Sequence, residues 1–381
     1  MRLRDLGVHP GRLPTGTLNA ITDVAGVRVG QVTRHEGDGK LVQGVGPIRT
    51  GVTAILPHEG NLYQQKVAGG VCSINGFGKA TGFEQIRTRG QIETPIILTN
   101  TLAIDRAADG LIGYMLDHNP QIGLTLGTVN PVVGECYDGF LNDTRGRHID
   151  ESHVKQAIER ARGGAVEEGC VGAGTGTAAF GFKGGIGTSS RVIPQGYTVG
   201  ALVQTNYGAR AELNFLGVPL GQHLLKEYLP IAGEGSQQSY VDLRGTAPGD
   251  AVEKGGSIMM VIGTDAPLDA RQLSRMAMRA AFGLARTGTV SHDQSGDFCI
   301  AFSSTNRYAH RNDGAIETVQ RVPEGSPVTD LLFQAAVEAI EEAILNAMIA
   351  AMTTVGRDGN TLFALPHDVL LYWLKHHRML E

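Results

Sequence analysis

Cysteine is scarce in this chain. Its four copies, Cys72, Cys136, Cys170 and Cys299, form no CxxC pair and show no regular spacing. That argues against a zinc site and a disulfide framework, and leaves buried reduced thiols as the expectation. Basic clusters are missing as well. The 33 Lys and Arg against 38 Asp and Glu give a net charge of −5, and no face or tail concentrates them. Nucleic acid is therefore not an expected partner. No apolar run is long enough to span a bilayer, and Met1-Arg2-Leu3-Arg4-Asp5-Leu6-Gly7 has no secretory pattern. A soluble cytoplasmic protein is the expectation. Linkers rich in Pro and Ser, internal repeats and low-complexity tracts are absent too. A length of 381 residues would on average mean two or three domains, but nothing marks a boundary.

Several apparent motifs fail on inspection. Gly172-Ala173-Gly174-Thr175-Gly176 breaks the GxGxxG register and has no following Lys, so it reads as a structural turn rather than a phosphate loop. Ser291-His292-Asp293 holds triad residue types, but adjacent residues cannot stack into a triad, and no GxSxG elbow exists. His376-His377 reads as a helix end rather than a metal site.

Glycine is abundant, at 53 residues, and suits tight turns between short strands. Strands are expected at 51–56, 67–74, 95–99, 122–127, 197–205, 257–264 and 298–303, each β-branched and bounded by Gly, Asn or Pro. Helices are expected at 104–118, 151–162, 269–287 and 329–355. Asp150 is read as an N-cap, and Gly288 and Gly356 as the residues after two C-termini. In the last helix Leu332, Ala336, Ile340, Ala343, Ala347 and Ala351 recur at helical spacing, and further apolar residues widen the face, as in a helix packed between layers. The class is α/β. Without a strict βαβ rhythm, a four-layer α/β/β/α sandwich fits best.

The chemistry concentrates at Gly255-Gly256-Ser257, where a polar, Gly-rich stretch from Ala232 to Gly256 meets the apolar run Ile258-Met259-Met260-Val261-Ile262. Alone, Gly-Gly-Ser before a strand is an ordinary turn. If the Gly256–Ser257 bond breaks, however, Ser257 becomes an N-terminus with a nucleophile and a base in one residue. Its α-amine, with a pKa of about 7.7–8.0, can take the hydroxyl proton. Glycine at the cleaved bond tolerates strained angles and lets the hydroxyl approach the preceding carbonyl. Ser295 and Asp297 lie two apart at the start of a strand, so both face one way and could relay a hydrogen bond to that amine; Ser-Gly-Asp is also a good turn sequence. Asn206, at a strand end, could donate to an oxyanion or simply cap a turn.

Asn75-Gly76-Phe77-Gly78, Leu98-Thr99-Asn100-Thr101, Pro131-Val132-Val133-Gly134-Glu135, Asp138-Gly139-Phe140-Leu141-Asn142-Asp143, Gly172-Ala173-Gly174-Thr175-Gly176, Val203-Gln204-Thr205-Asn206 and Ser295-Gly296-Asp297 fall in one order. From about residue 15 to about residue 370 the chain resembles the P1 (DmpA/BapA-type) self-processing aminopeptidases, the L-aminopeptidase/D-esterase and β-peptidyl aminopeptidase group. The resemblance implies the layered sandwich of an N-terminal-nucleophile hydrolase with different connectivity. It implies one catalytic domain, 1–381, cut between Gly256 and Ser257 into chains 1–256 and 257–381. Ser257 would be the nucleophile, Ser295 and Asp297 would orient its amine, Asn206 would donate to the oxyanion, and Glu135 would hold the substrate's free amine. Phe140 departs from a family tyrosine whose hydroxyl helps the oxyanion hole; Asn206 and a backbone N–H, or nearby Tyr137, would have to serve. Lys79 departs where relatives often carry an acid.

The resulting expectation is a serine aminopeptidase acting on short peptides, amides or esters, with no cofactor or metal, no membrane or nucleic-acid partner, and assembly as a tetramer of cleaved heterodimers. The alternatives are an acyltransferase or polyamide hydrolase of related fold, whose cleavage-point threonine is Ser257 here, and an unprocessed ligand-binding protein.

Overall fold

The computed structural model of the protein describes residues 1–233, 256–312 and 314–380. Most of the polar stretch expected to form a processing loop, residues 234–255, lies outside the described residues.

The strands of the two main sheets are, in chain order, β1 (Arg28–Glu36), β2 (Ile48–Leu56), β3 (Gln65–Gly76), β4 (Ala80–Thr81), β5 (Gln91–Ile92), β6 (Ile96–Asn100), β7 (Val132–Cys136), β8 (Ile186–Val192), β9 (Thr198–Asn206), β10 (Gly256–Thr264) and β11 (Ser295–Ala309). Among the described residues the α-helices are α1 (Phe83–Arg89), α2 (Ile104–His118), α3 (Glu151–Glu159), the single turn α4 (Leu220–His223), α5 (Ala270–Arg286), α6 (Pro327–Ile349) and α7 (His367–His376). One sheet runs β1-β2-β6-β7-β4 and the other β8-β9-β10-β11-β3-β5. Pairing is antiparallel except for β6 with β7 and β10 with β11.

Side-chain alternation along β10 sorts the core into layers. Met259 and Val261 face the first sheet, where they meet Leu98, Val132 and Cys136. Ile258, Met260 and Ile262 face the other way, onto Leu273 and Met276 of α5 and Ile340 and Ile344 of α6. On the far side of the first sheet, Val52, Ile97 and Val133 pack against Ala107 and Leu111 of α2 and Val154 and Ile158 of α3. The result is a four-layer α/β/β/α sandwich. Each fully buried Leu, Ile, Val or Met contributes about 1.5–3 kcal/mol. With both faces covered, strands read as continuous apolar runs, and β2 is buried at every position. Glycine sets the layer spacing at two points. A Cβ on Gly30 would stand 2.6 Å from the Ala161 nitrogen beyond α3, and one on Gly187 would stand 2.6 Å from the Ala347 nitrogen of α6.

Two of the three expected caps behave as the sequence predicts. Asp150 accepts from the Ser152 and His153 N–H groups, and Gly288 follows the C-cap of α5 with φ of 106°. Some elements differ. Residues 122–127 form a tight loop closed by a bridge between Ile122 and Leu126, not a strand. Helix α3 stops at Glu159, because Arg162 exchanges backbone hydrogen bonds with Val29 and extends the sheet edge. Helix α6 stops at Ile349, short of Val355. Thr354 and Val355 are β-branched and pair with Thr361 and Leu362 instead, and Gly356 is extended and precedes a short 3-10 turn at Arg357–Gly359 rather than following the C-terminus of α6. Strand β8 is too polar to stand out in sequence. Its Arg191 is wholly buried, where Glu338 and Glu342 of α6 receive it at 3.1 and 2.7 Å.

Candidate active site

The register of three strands assembles the site. Ser257 on β10 pairs with Asn206 on β9, and with Gly296 on β11; Gly256 pairs with Ser295 and Ile258 with Asp297. The Ser257 side chain shares the Met259 face and therefore points towards the first sheet, where β7 ends at Cys136. There the Tyr137 N–H and the Asn206 Nδ2 each donate to Ser257 Oγ at 3.3 Å. The amide of Asn206 is oriented by its other end, since Oδ1 accepts from the Ala178 N–H at 3.1 Å. Two N–H groups thus converge on a hydroxyl that is 5 % exposed. This is the arrangement that stabilises an alkoxide or a tetrahedral oxyanion formed nearby. The backbone N–H of Gly256 donates to the Gln294 carbonyl at 3.1 Å, and a Cβ added at Gly256 would stand 3.0 Å from Ser295 Oγ.

Ser295 and Asp297 share a face, as their spacing predicts. Ser295 Oγ donates to Asp297 Oδ1 at 2.6 Å, and the Ser291 hydroxyl donates to Oδ2. That face is opposite the one carrying the Ser257 side chain, so the pair flanks the main chain at 256–258 rather than Ser257 Oγ. Burial raises the Asp297 pKa, and the two hydroxyls oppose the rise. Two contributors were not legible in sequence. Ser291 completes the carboxylate's partners, and Asn75 Nδ2 lies 2.7–2.9 Å from the carbonyls of His292, Asp293 and Ser295, tying down the turn before β11. His292 meets the Glu212 carboxylate at 2.9 Å, so the Ser291-His292-Asp293 run forms no triad.

Glu135 is buried on β7. Its Oε1 accepts from the Lys79 N–H at 3.0 Å, and its Oε2 accepts from the Thr101 hydroxyl. Burial raises its pKa against those bonds and the Lys79 charge. The turn at Gly78 lies between Glu135 and the Ser257 strand pair: a Cβ there would stand 3.2 Å from the Gly296 Cα and 3.4 Å from Glu135 Oε1. Phe140 packs with Leu141, Ala178 and Leu362, and Ala178 is the residue that anchors Asn206. Tyr137 contributes its backbone N–H, while its ring folds over Gly139 and is 38 % exposed. Beside them Asp138 is buried, its pKa pushed up to about 7 by desolvation despite bonds from Thr50 and Asn142. Burial also drives the Cys136 thiol far up, while the Ser257 hydroxyl acts against it.

The Gly-rich turn at 172–176 is structural. The buried Lys183 ammonium donates to the carbonyls of Gly174, Thr177 and Gly184 at 2.9–3.0 Å. A phosphate cradle presents N–H groups, whereas this turn presents carbonyls. Among the described residues no group of three or more His, Cys, Asp or Glu is arranged to hold a metal ion, and no helix is long and apolar enough to cross a membrane.

Residues 19–362 match Peptidase family S58. The β-peptidyl aminopeptidase BapA of Sphingosinicella microcystinivorans is 43% identical over 100% of this chain and 93% of its own. The crystal structure of the PH0078 protein from Pyrococcus horikoshii OT3 superposes with a TM-score of 0.90 at 47% identity, covering 99% of both chains. The L-aminopeptidase D-Ala-esterase/amidase of Ochrobactrum anthropi, a prototype for the serine aminopeptidases and a variant among the Ntn hydrolase fold, superposes with a TM-score of 0.88 at 38% identity, covering 100% of this chain and 99% of its own. With a hydroxyl held by two N–H donors at the head of a central strand, and with matches of this extent, the chain belongs to Peptidase family S58 and is a serine aminopeptidase of the Ntn hydrolase fold.

Proposed function

We propose that the chain cuts itself between Gly256 and Ser257 and then removes N-terminal residues from short peptides, amides and esters through an acyl-enzyme on Ser257. The observation that carries this reading is the convergence of Asn206 Nδ2 and the Tyr137 N–H on Ser257 Oγ. In processing, the Ser257 hydroxyl attacks the Gly256 carbonyl, the acyl group moves from nitrogen to oxygen, and water hydrolyses the ester. The amine of Ser257 is released with the chain 257–381. The chains stay together because β10 hydrogen-bonds to β9, and β11 to β3, across the cut.

In turnover the Ser257 amine takes the hydroxyl proton, Oγ attacks the substrate carbonyl, and Asn206 and Tyr137 donate to the oxyanion. The departing amine takes the proton, and water then deacylates the serine. Ser295 and Asp297 orient the amine. Glu135 pairs with the substrate ammonium, which selects a free N-terminus. Phe140 offers an apolar wall, so the oxyanion relies on the two N–H donors. The BapA relative's name favours β-aminoacyl substrates among those accepted. The working form is a cytoplasmic tetramer of cleaved heterodimers. The test is turnover of β-alanyl- and L-alanyl-p-nitroanilide with EDTA present. Release of p-nitroaniline by the wild type and not by Ser257→Ala is expected; a cleaved protein that turns over no aminoacyl anilide or ester overturns the reading.

A further inference from the structure

His223 closes the turn α4, and His377 is the C-cap of α7, 154 residues later in the chain. Their Nε2 atoms lie 3.0 Å apart. Trp373 and His377 sit four apart and share one face of α7. The His223 ring stacks on the Trp373 ring at 3.6 Å and 8°, which fixes its plane and aims Nε2 at His377.

We infer that His223 and His377 are a two-imidazole site for a borderline divalent transition-metal ion such as Zn2+. Metal–nitrogen bonds of about 2.0–2.1 Å place two coordinated nitrogens about 2.9–3.4 Å apart for angles from square to tetrahedral. The observed separation falls in that window before any metal enters. Imidazole suits Zn2+, Ni2+ and Cu2+, and disfavours Mg2+ and Ca2+. Both Nε2 atoms must be unprotonated to bind, so the proton between them leaves to solvent or moves to Nδ1. His377 lies at the exposed tip of α7, where solvent would supply the remaining coordination positions of a bound ion. His376 directs its ring elsewhere, 5.5 Å from that of His377 and edge-on to Trp373.

The sequence conceals this pair, because His377 has a histidine neighbour that is not its partner. The placement also has a consequence that rests on the proposed cleavage. His223 belongs to the segment 1–256 and His377 to 257–381, so the ion would clip one chain to the other away from the catalytic serine.

The test titrates ZnCl2 into metal-stripped full-length protein by calorimetry, with native mass spectrometry for stoichiometry. One Zn2+ per chain is expected, with affinity weakened at least tenfold in both His223→Gln and His377→Gln and unchanged in His376→Ala. Ser257→Ala should bind as the wild type does, so a failure of cleavage leaves the binding test intact. In the cleaved protein, Zn2+ should slow separation of the two chains in urea, and should not do so in His377→Gln. The variants' far-UV circular dichroism in EDTA checks folding, and the exposed position of His377 makes its variant the safer one. The inference is overturned if no Zn2+ binds at 100-fold excess, or if binding survives both glutamine variants, since the histidines would then merely share a proton.

Discussion

Replacing Asn206 by alanine removes one of the two N–H donors at Ser257 Oγ, and the structure sets the size of the effect. Both donors stand 3.3 Å from Ser257 Oγ in the resting state, beside the place where an acyl oxyanion would form. Loss of one such donor raises the barrier by about 2.7–4 kcal/mol, or about 10²–10³ in kcat. The same change strips the Ala178 N–H of its acceptor, at a cost of about 1–3 kcal/mol in stability. Asn206→Asp separates the two effects. It keeps an acceptor for Ala178 but, when ionised at pH 8, offers no donor to Ser257, so it should retain more stability than the alanine variant yet lose a comparable factor in rate. The assay is kcat and KM on an aminoacyl anilide, with self-cleavage followed by intact mass and stability by urea denaturation. Both kcat and the cleavage rate should fall with KM little changed. An Asn206→Ala protein that keeps kcat within threefold and matures at the wild-type rate refutes the role of this amide.

Glu135→Gln should lower kcat/KM by about 10–150-fold through KM, the loss of one charge-assisted pair of about 1.5–3 kcal/mol. Because burial raises the Glu135 pKa, wild-type kcat/KM should decline on the acid side at a pH above the ordinary glutamate value, as the carboxylate protonates and releases the ammonium; the glutamine variant should lack that limb. Asp138, pushed up to about 7, keeps its proton in the native state at pH values where the unfolded chain has lost it. Native protein therefore binds more protons from about pH 4 to about pH 7, and stability falls as pH rises through that window, by on the order of 4 kcal/mol. Denaturation of Asp138→Asn across the window should show a slope shallower by about one proton. Gly187→Ala should cost several kcal/mol or prevent folding, because its Cβ meets the backbone of α6. Gly76→Ala, with open space at its Cβ, should change stability by less than about 0.5 kcal/mol, both variants being followed by thermal melts.

The sequence was most legible where one chemistry explains a residue. Apolar β-branched runs at 51–56 and 257–264 fall within strands, and the run at 95–99 does so from Ile96 onward, because both faces of each sheet are covered. Asp150 and Gly288 act through local backbone geometry, so neighbours in sequence suffice to find them. Strand β8 was missed because its polarity is balanced from afar, with Arg191 answered by carboxylates 147 and 151 residues later. The end of α6 was misread because apolar spacing continues past Ile349 while β-branched Thr354 and Val355 gain ladder bonds with 361–362. At the candidate site, Ser257, Asn206, Ser295 and Asp297 do gather on three adjacent strands. What the spacing of Ser295 and Asp297 could not tell is which side of the Ser257 strand they occupy, since that depends on register across β10 and β11. Ser291 and the Tyr137 N–H each contribute one hydrogen bond from a loop, and Asn75 ties three distant carbonyls from the end of β3, so none of the three roles can be read from neighbouring residues.

The central claim is that Ser257 cuts its own chain and then works as the new N-terminus. Intact-mass spectrometry of the purified wild type beside Ser257→Ala tests it most directly. Two species ending at Gly256 and beginning at Ser257 in the wild type, with a single full-length chain in the variant, are the predicted result. A wild-type chain that stays whole for days, or an alanine variant that is cut at the same bond, would contradict it.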